Sequence, residues 1–147
     1  MNQQLLPQDV LISQFKAFYL DLQQSNIVDM QHIYANDIVF KDPIHQVRGI
    51  DHVMSYMQSS INNTTQCRFE FLHEIISEHS AFIKWHMHYQ HPKLGNMPQT
   101  LLGMTHLLFD DKITFHEDTY DLGAMVYEHI PVLGSATRYV KRKLGHY

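Results

Sequence analysis

Asp42 stands beside Pro43, between an apolar run ending in Phe40 and the apolar Ile44. A carboxylate held against apolar surface has its charged form penalised, so its pKa rises and it becomes a usable base. The competing reading is a turn residue that caps local backbone groups ahead of the proline. A second set is His116, Asp118 and Tyr120, which alternate and so share one face of a strand. An aspartate near a histidine favours the imidazolium and fixes its tautomer. Residues i and i+2 of a strand are about 6.5–7 Å apart at the backbone, so contact within the pair depends on rotamers. The plainer reading of His116 and Asp118 is a hydrogen-bonded pair at the edge of the core.

His86 and His88 also share a strand face and could hold an ion together, with His73 or His106 supplying a further ligand. No ligand-spacing motif such as His-Glu-x-x-His accompanies them. They read better as a half-exposed strand face, and neither a metal nor a cofactor is expected. Gly-x-Ser-x-Gly elbows, phosphate-binding glycine loops, dinucleotide fingerprints and Cys-x-x-Cys pairs are absent from the sequence. Trp85, Met87 and Tyr89, with Phe15, Phe18, Met54, Met57, Leu101 and Met104, either line a cavity for a flat apolar ligand or fill the core. Arg138, Lys141, Arg142 and Lys143 read as the solvated, dipole-favoured end of a last helix sooner than as an anion-binding patch.

The elements that must position these residues follow from periodicity. Apolar residues at Val10, Leu11, Phe15, Phe18, Tyr19 and Leu22 predict a helix over 9–24, with Asp9 as N-cap. A shorter helix follows over 27–34, a strand over 37–41, and a third helix over 50–60 opened by Gly49. The period then changes to two. Strands are predicted over 67–78, 81–90, 100–109 and 112–120, with Asp110-Asp111 as a tight hairpin. Ile83, Trp85, Met87 and Tyr89 fall on one face of the second of these, Lys84, His86 and His88 on the other. A helix begins at Asp121, is interrupted near Pro131 and Gly134, and a last amphipathic helix covers 135–144, whose apolar side (Tyr139, Val140, Leu144) must dock somewhere. Helices grouped before a run of hairpin-linked strands imply an α+β fold.

The totals agree with a single domain over 1–147, residues 1–8 forming a flexible tail. A chain of 147 residues, 44% apolar and 18% charged, can bury a real core and is neither disordered nor membrane-spanning. No run of about 18 apolar residues occurs. Residues 1–9 lack the basic start and apolar run of a secretory leader, and the single cysteine, Cys67, fits the cytoplasm. A formal charge of −4 gives no pull toward nucleic acid. The 12 histidines make net charge sensitive to mild acid.

Three helices, a short strand ending in Asp-Pro and a terminal meander resemble the nuclear transport factor 2-like superfamily. Within it, the stretch from Tyr34 through Asp42-Pro43 to Gly49, Ile50 and Tyr56 is similar to the ketosteroid isomerase and SnoaL-like polyketide cyclase branch. Gly103 to Asp121 resembles the strands that close the pocket in SnoaL-like proteins. The resemblance covers roughly residues 10–121. It implies N-terminal helices packed as a cone against a strongly curved, mostly antiparallel sheet, with extra C-terminal helices. It also implies an apolar pocket, and a homodimer through the outer sheet face. Apolar residues on both faces of the late strands (Leu101, Leu102, Met104, Leu107, Leu108) point independently to a second buried face.

By the same resemblance Asp42 falls where ketosteroid isomerases keep their base. Those enzymes complete the site with a tyrosine and a protonated aspartate, whose positions here hold Phe18, with Tyr19 next to it, and Thr105. Losing one such donor costs on the order of 100-fold in rate, so the resemblance does not carry the steroid-isomerase oxyanion hole. SnoaL-like cyclases use an acidic and a histidine side chain in the pocket, which makes His116 and Asp118 the candidates. The expected catalytic set is therefore Asp42, His116, Asp118 and Tyr120, and the expected ligand contacts are Phe18, Tyr19, Met54, Met57, Trp85, Leu101, Gly103 and Thr105. The expected activity is cofactor-free proton abstraction next to a carbonyl of a small apolar substrate, as in an isomerase or cyclase. The alternative is a non-catalytic ligand-binding or regulatory domain.

Overall fold

The computed structural model of the chain describes residues 4–125 and 131–145. The order is α1 (Pro7–Leu20), a short 3-10 turn (Ile27–Asp29), α2 (Met30–Ile33), β1 (Tyr34–Lys41), β2 (Gln46–Arg48), α3 (Ile50–Asn63), β3 (Gln66–Ile76), β4 (Ser80–Gln90), β5 (Gln99–Phe109), β6 (Ile113–Tyr120), α4 (Leu122–Met125) and α5 (Pro131–Leu144). The fold is α+β, as the period change predicts. Pro7 and Gln8 belong to the first turn of α1, not to a tail. Proline is favoured there because its missing N–H would be unpaired anyway. Asp9 consequently sits inside the first turn, and Leu6 takes the cap position without a side-chain bond.

One six-stranded sheet runs in the order β2-β1-β6-β5-β4-β3. The hairpins β3–β4, β4–β5 and β5–β6 are antiparallel, whereas β1 lies parallel to β6 with Phe40 opposite His116. β2, read as loop from the sequence, pairs with the end of β1 through Val39 and Arg48. Its short length and exposed residues leave almost no periodicity to detect. Gly49 follows at φ +90°, a conformation that disfavours any side chain, and this sharp turn starts α3.

The core lies between α1, α2, α3 and the inner sheet face. Ile12, Phe15, Met30, Ile33, Val53, Ile83, Trp85, Leu107 and Ile113 are all nearly inaccessible to solvent. On β3 the register shifts between Phe71 and His73. The shift moves His73 to the outer face, opposite Lys84, and turns Glu74 inward, where it meets Lys16 of α1 at 2.8 Å. An unbroken period of two over the strand read as 67–78 would put His73 on the face of Phe69 and Phe71, and it fails at this bulge. Met104, expected near a cavity, is on the outer face and exposed. Pro131 starts α5 instead of interrupting a helix. The apolar residues of α5 expected to dock (Tyr139, Val140, Leu144) are exposed, and Lys141 pairs with Asp121 at the end of β6. The predicted helix beyond Asp121 is described only as far as Met125, because residues 126–130 lie outside the described part.

Candidate functional site

Parity on β6 directs His116, Asp118 and Tyr120 toward the helices. Continuing the parallel register by two residues from Phe40 and His116 brings Asp42 level with Asp118. Both carboxylates line one cavity of about 440 Å³, together with Tyr56, Trp85 and Tyr120. That volume suits a small molecule, and the lining is mostly apolar. His91, Lys93 and Leu94 come to it from the loop after β4.

Asp42 is held on both oxygens. Its Oδ1 accepts from the backbone N–H of Ile44 at 2.8 Å and of His45 at 2.6 Å, and its Oδ2 accepts from Tyr56 Oη at 2.5 Å. Its own N–H donates to the His45 carbonyl. The residue therefore does cap the Asp-Pro turn, the plainer of its two readings, while also facing the cavity.

Asp118 is held on one oxygen only. Oδ1 accepts from Thr105 Oγ1 at 2.6 Å and lies 2.7 Å from His116 Nε2. No described residue hydrogen-bonds Oδ2. It is not sealed in either, because no buried side-chain polar atom among the described residues lacks a partner. Thr105 in turn accepts from Trp85 Nε1 at 2.8 Å. His116 is 1% exposed and fully engaged, with Nδ1 2.7 Å from Tyr34 Oη, which is itself 2.7 Å from Tyr19 Oη. A neutral imidazole with its proton on Nε2 satisfies every partner: Tyr19 donates to Tyr34, Tyr34 to Nδ1, and Nε2–H to Asp118.

The tyrosines are poised as donors. Burial pushes the hydroxyls of Tyr19 and Tyr34 well above the ordinary phenol range. Tyr56 is raised by burial and by its bond to Asp42. Tyr120 is raised by burial and then by the charges of Asp42 and Asp118, which places it in the field of both carboxylates. The Tyr120 hydroxyl has no hydrogen-bond partner among the described residues. A carboxylate with one anchored and one bare oxygen, beside an unpartnered hydroxyl that keeps its proton, is equipped to take a proton and steady an oxyanion.

The expected ligand contacts divide. Tyr19, Met57 and Trp85 line the cavity, whereas Phe18, Met54, Leu101 and Gly103 do not. The turn of α1 that aims Tyr19 inward packs Phe18 edge-on against it, with ring centroids 5.1 Å apart. Leu101 is buried in the core opposite Met87. Gly103 lies under the Trp85 indole: a Cβ there would fall 2.1 Å from Cη2. Thr105 lies deeper, touching a separate small void with His116 and Asp118. His116, buried and with both nitrogens engaged, stands behind Asp118 and does not line the larger cavity. Tyr34 and Tyr56 received no role from the sequence. Tyr34, read as the end of the second helix, instead opens β1, and the register irregularity between Tyr34 and Val39 separates it from the alternation of Ile38 and Phe40, so strand parity carried no signal for it. His86 and His88 face outward, away from the cavity, because Trp85, Met87 and Tyr89 take the inner face.

Among curated proteins none matches the sequence. Solved structures do. One is a hypothetical protein with a ketosteroid isomerase-like fold from Catenulispora acidiphila, solved in complex with trimethylamine. It is 14% identical, covers 78% of this chain and 87% of its own, and superposes with a TM-score of 0.69. A candidate SnoaL-like polyketide cyclase from Shewanella denitrificans is 18% identical over 80% of this chain and 93% of its own, with a TM-score of 0.67. A nuclear transport factor 2-like protein of unknown function from Burkholderia pseudomallei reaches a TM-score of 0.73 at 12% identity, covering 83% of this chain and 96% of its own. At such identities the likeness shows the cone-shaped fold. The family model for the SnoaL-like domain matches residues 15–116. That match spans more than half of the chain, and the protein belongs to the SnoaL-like domain family.

Proposed function

We propose that the cavity binds a small, largely apolar carbonyl compound and that the protein transfers a proton next to its carbonyl, as an isomerase or cyclase without a cofactor. Asp118 Oδ2 takes the proton from the α-carbon. The electron pair moves into an enolate whose oxygen accepts a hydrogen bond from Tyr120. The proton then returns to another carbon of the conjugated enolate, or the enolate carbon closes a ring on a second carbonyl of the same molecule, whose oxygen becomes an alkoxide and takes the proton back from Asp118. His116 and Thr105 position Asp118, and Asp42 with Tyr56 completes the polar end. The observation that carries this reading is the single bare carboxylate oxygen of Asp118, anchored by its twin, on an apolar cavity.

The test is α-proton exchange into D2O, followed by NMR over a panel of enolisable ketones and diketones. Loss of a general base costs about 100- to 10,000-fold, the expected result for Asp118→Asn, and Tyr120→Phe should cost about 100-fold. Unchanged exchange in Asp118→Asn refutes the assignment. A second reading, ligand binding without turnover, draws on the fact that Phe18 offers no donor and Thr105 spends its hydroxyl on Asp118. Binding of panel compounds by thermal shift without any exchange would select it.

The proposal includes a homodimer through the outer face of β3, β4 and β5. Ile75, Phe82, Leu102, Met104 and Leu108 are exposed there, and burying such a patch is the strongest drive to association available. Sedimentation of Leu102→Lys should show a shift toward monomer. A cytoplasmic setting belongs to the same reading and rests on the single cysteine. No described helix is long and apolar enough to cross a membrane.

A further inference from the structure

The outer sheet face holds a second cluster unrelated to the cavity. Glu70 of β3 pairs in register with His86 of β4, and His88 stands two residues along. All three side chains turn away from the helices. Their ligand atoms lie within 4.8 Å of one another. Glu70 Oε2 is 2.8 Å from His88 Nε2 and 3.9 Å from His86 Nδ1. Ligands at a tetrahedral zinc, with bonds of about 2.0–2.1 Å, stand roughly 3.3 Å apart. The two Glu70–histidine separations bracket that value, and with all three ligand atoms within 4.8 Å of one another the cluster closes on an ion by side-chain adjustment of about 1–2 Å, without backbone movement.

We propose that Glu70, His86 and His88 form a binding site for a divalent transition-metal ion of the zinc type. Two imidazole nitrogens and one carboxylate oxygen match the donor preference of that ion, and a fourth position stays open for water or another ligand. The surroundings support the arrangement. His88 Nδ1 is 2.9 Å from Thr100 Oγ1 on β5. Without an ion, Nε2–H donates to Glu70 and Nδ1 accepts from the Thr100 hydroxyl; an ion between Nε2 and Glu70 would take the Nε2 lone pair and leave the ring proton on Nδ1, donated to that hydroxyl, the outer bond that orients a metal-binding histidine. Thr100 is thus a positioning residue. Arg68, whose charge also acts on Glu70, and Lys84 share the outer face and oppose a cation there. The other strand histidines do not join the cluster: His106 stacks flat on Phe82 with centroids 4.3 Å apart, and His73 lies opposite Lys84. The β3 bulge is what removes His73, and cross-strand pairing is what brings Glu70 in. The site stands on the opposite sheet face from the cavity, so it does not depend on the proton-transfer reading; it lies on the face proposed for the homodimer, where His86 pairs with Leu102.

The experiment uses the full chain without a histidine tag, stripped with chelator and titrated with zinc chloride by calorimetry near neutral pH. The expected result is one ion per chain, with affinity at least about tenfold weaker in Glu70→Gln, His86→Ala and His88→Ala. Thr100→Val should weaken binding by about 10- to 100-fold, as removal of an outer partner does. His73→Ala and His106→Ala should bind as the parent does, and unchanged circular dichroism of each variant excludes misfolding as the cause. Cobalt loaded in place of zinc should give the intense visible bands of a four-coordinate ion, lost in His88→Ala. One ion per two chains, with the same dependence on the three ligands, also supports the assignment and draws the fourth ligand from a second copy. No saturable binding overturns it. Equal weakening in the His73 and His106 variants also overturns it, because zinc would then be sampling a general pool of surface histidines.

Discussion

Gly103→Ala is the sharpest probe of how this fold holds its candidate site. Gly103 lies on β5 directly beneath the benzo ring of Trp85, and an added Cβ would come within 2.1 Å of Cη2 and 2.5 Å of both Cζ2 and Cζ3. The backbone there has no unusual torsion, so the cost is one of space alone. The indole cannot swing aside cheaply, since it is 1% exposed and packs edge-on against Phe69 at 4.9 Å. Overpacking of this kind costs about 1–3 kcal/mol. Displacing the ring also breaks the Nε1 bond to Thr105, and a buried donor left unpaired costs about 1–3 kcal/mol more. The working value is about 3 kcal/mol. At about 2–4 °C per kcal/mol for a chain of this size, the unfolding midpoint should fall by about 10 °C. Trp85 is the only tryptophan, so urea unfolding followed by intrinsic fluorescence reports on the displaced ring itself, and native emission should shift to the red. In a Trp85→Leu background, scored by circular dichroism, the same glycine substitution should cost at least about 1 kcal/mol less, as expected of residues in contact. A loss below about 1 kcal/mol with parental emission would refute the reasoning.

Three further outcomes follow from the buried polar groups. His116→Phe keeps the ring volume but strips Tyr34 of its acceptor and Asp118 of a donor. It should cost about 2–4 kcal/mol by urea midpoint, and a loss under about 0.5 kcal/mol would show these bonds to be energetically idle. Tyr19, Tyr34, Tyr56 and Tyr120 all hold their protons above the unfolded value of 10.0. Their contribution is present in full below that pH and declines as pH rises past it, because the unfolded chain then releases protons that the native chain retains. Stability scans should therefore show a steep alkaline loss, with the tyrosinate absorbance of these four among the eight tyrosines appearing only as the chain unfolds; ionisation of all eight before unfolding would contradict this. Burial and the charge of Asp21 push the Cys67 thiol up to about 12. Disulfide-exchange reagents at mildly alkaline pH should thus label it only on unfolding, and native labelling at the rate of a free thiol would overturn that expectation.

Much of this architecture is written in local pattern. The change from helical spacing through Phe15 and Tyr19 to alternation through Ile83, Trp85 and Tyr89 marks where helices end and strands begin. The alternation of His116, Asp118 and Tyr120 shows that they share a face. These are properties of short windows, set by backbone periods of 3.6 and 2. The Asp42-Pro43 turn is equally local, and so is its capping role.

Other decisions belong to contacts between residues far apart in the chain. The parallel pairing of β1 with β6 sets Asp42 level with Asp118, and no nearby residue encodes which strands will meet. Rotation of α1 against the sheet chose Tyr19 over Phe18 for the cavity, a difference of one residue on a helix that is apolar around much of its surface. One extra residue in β3 moved His73 outward and Glu74 inward, which periodicity could not anticipate because a bulge breaks it. Cross-strand register alone brought Glu70 to His86 and His88. The sequence by itself determined the main helices and the long strands, most of their faces and the family to which they belong. Only the tertiary structure decided which oxygen of which aspartate stays free, because hydrogen bonds from Thr105, His116 and Tyr56 exist only once the strands and α3 have packed.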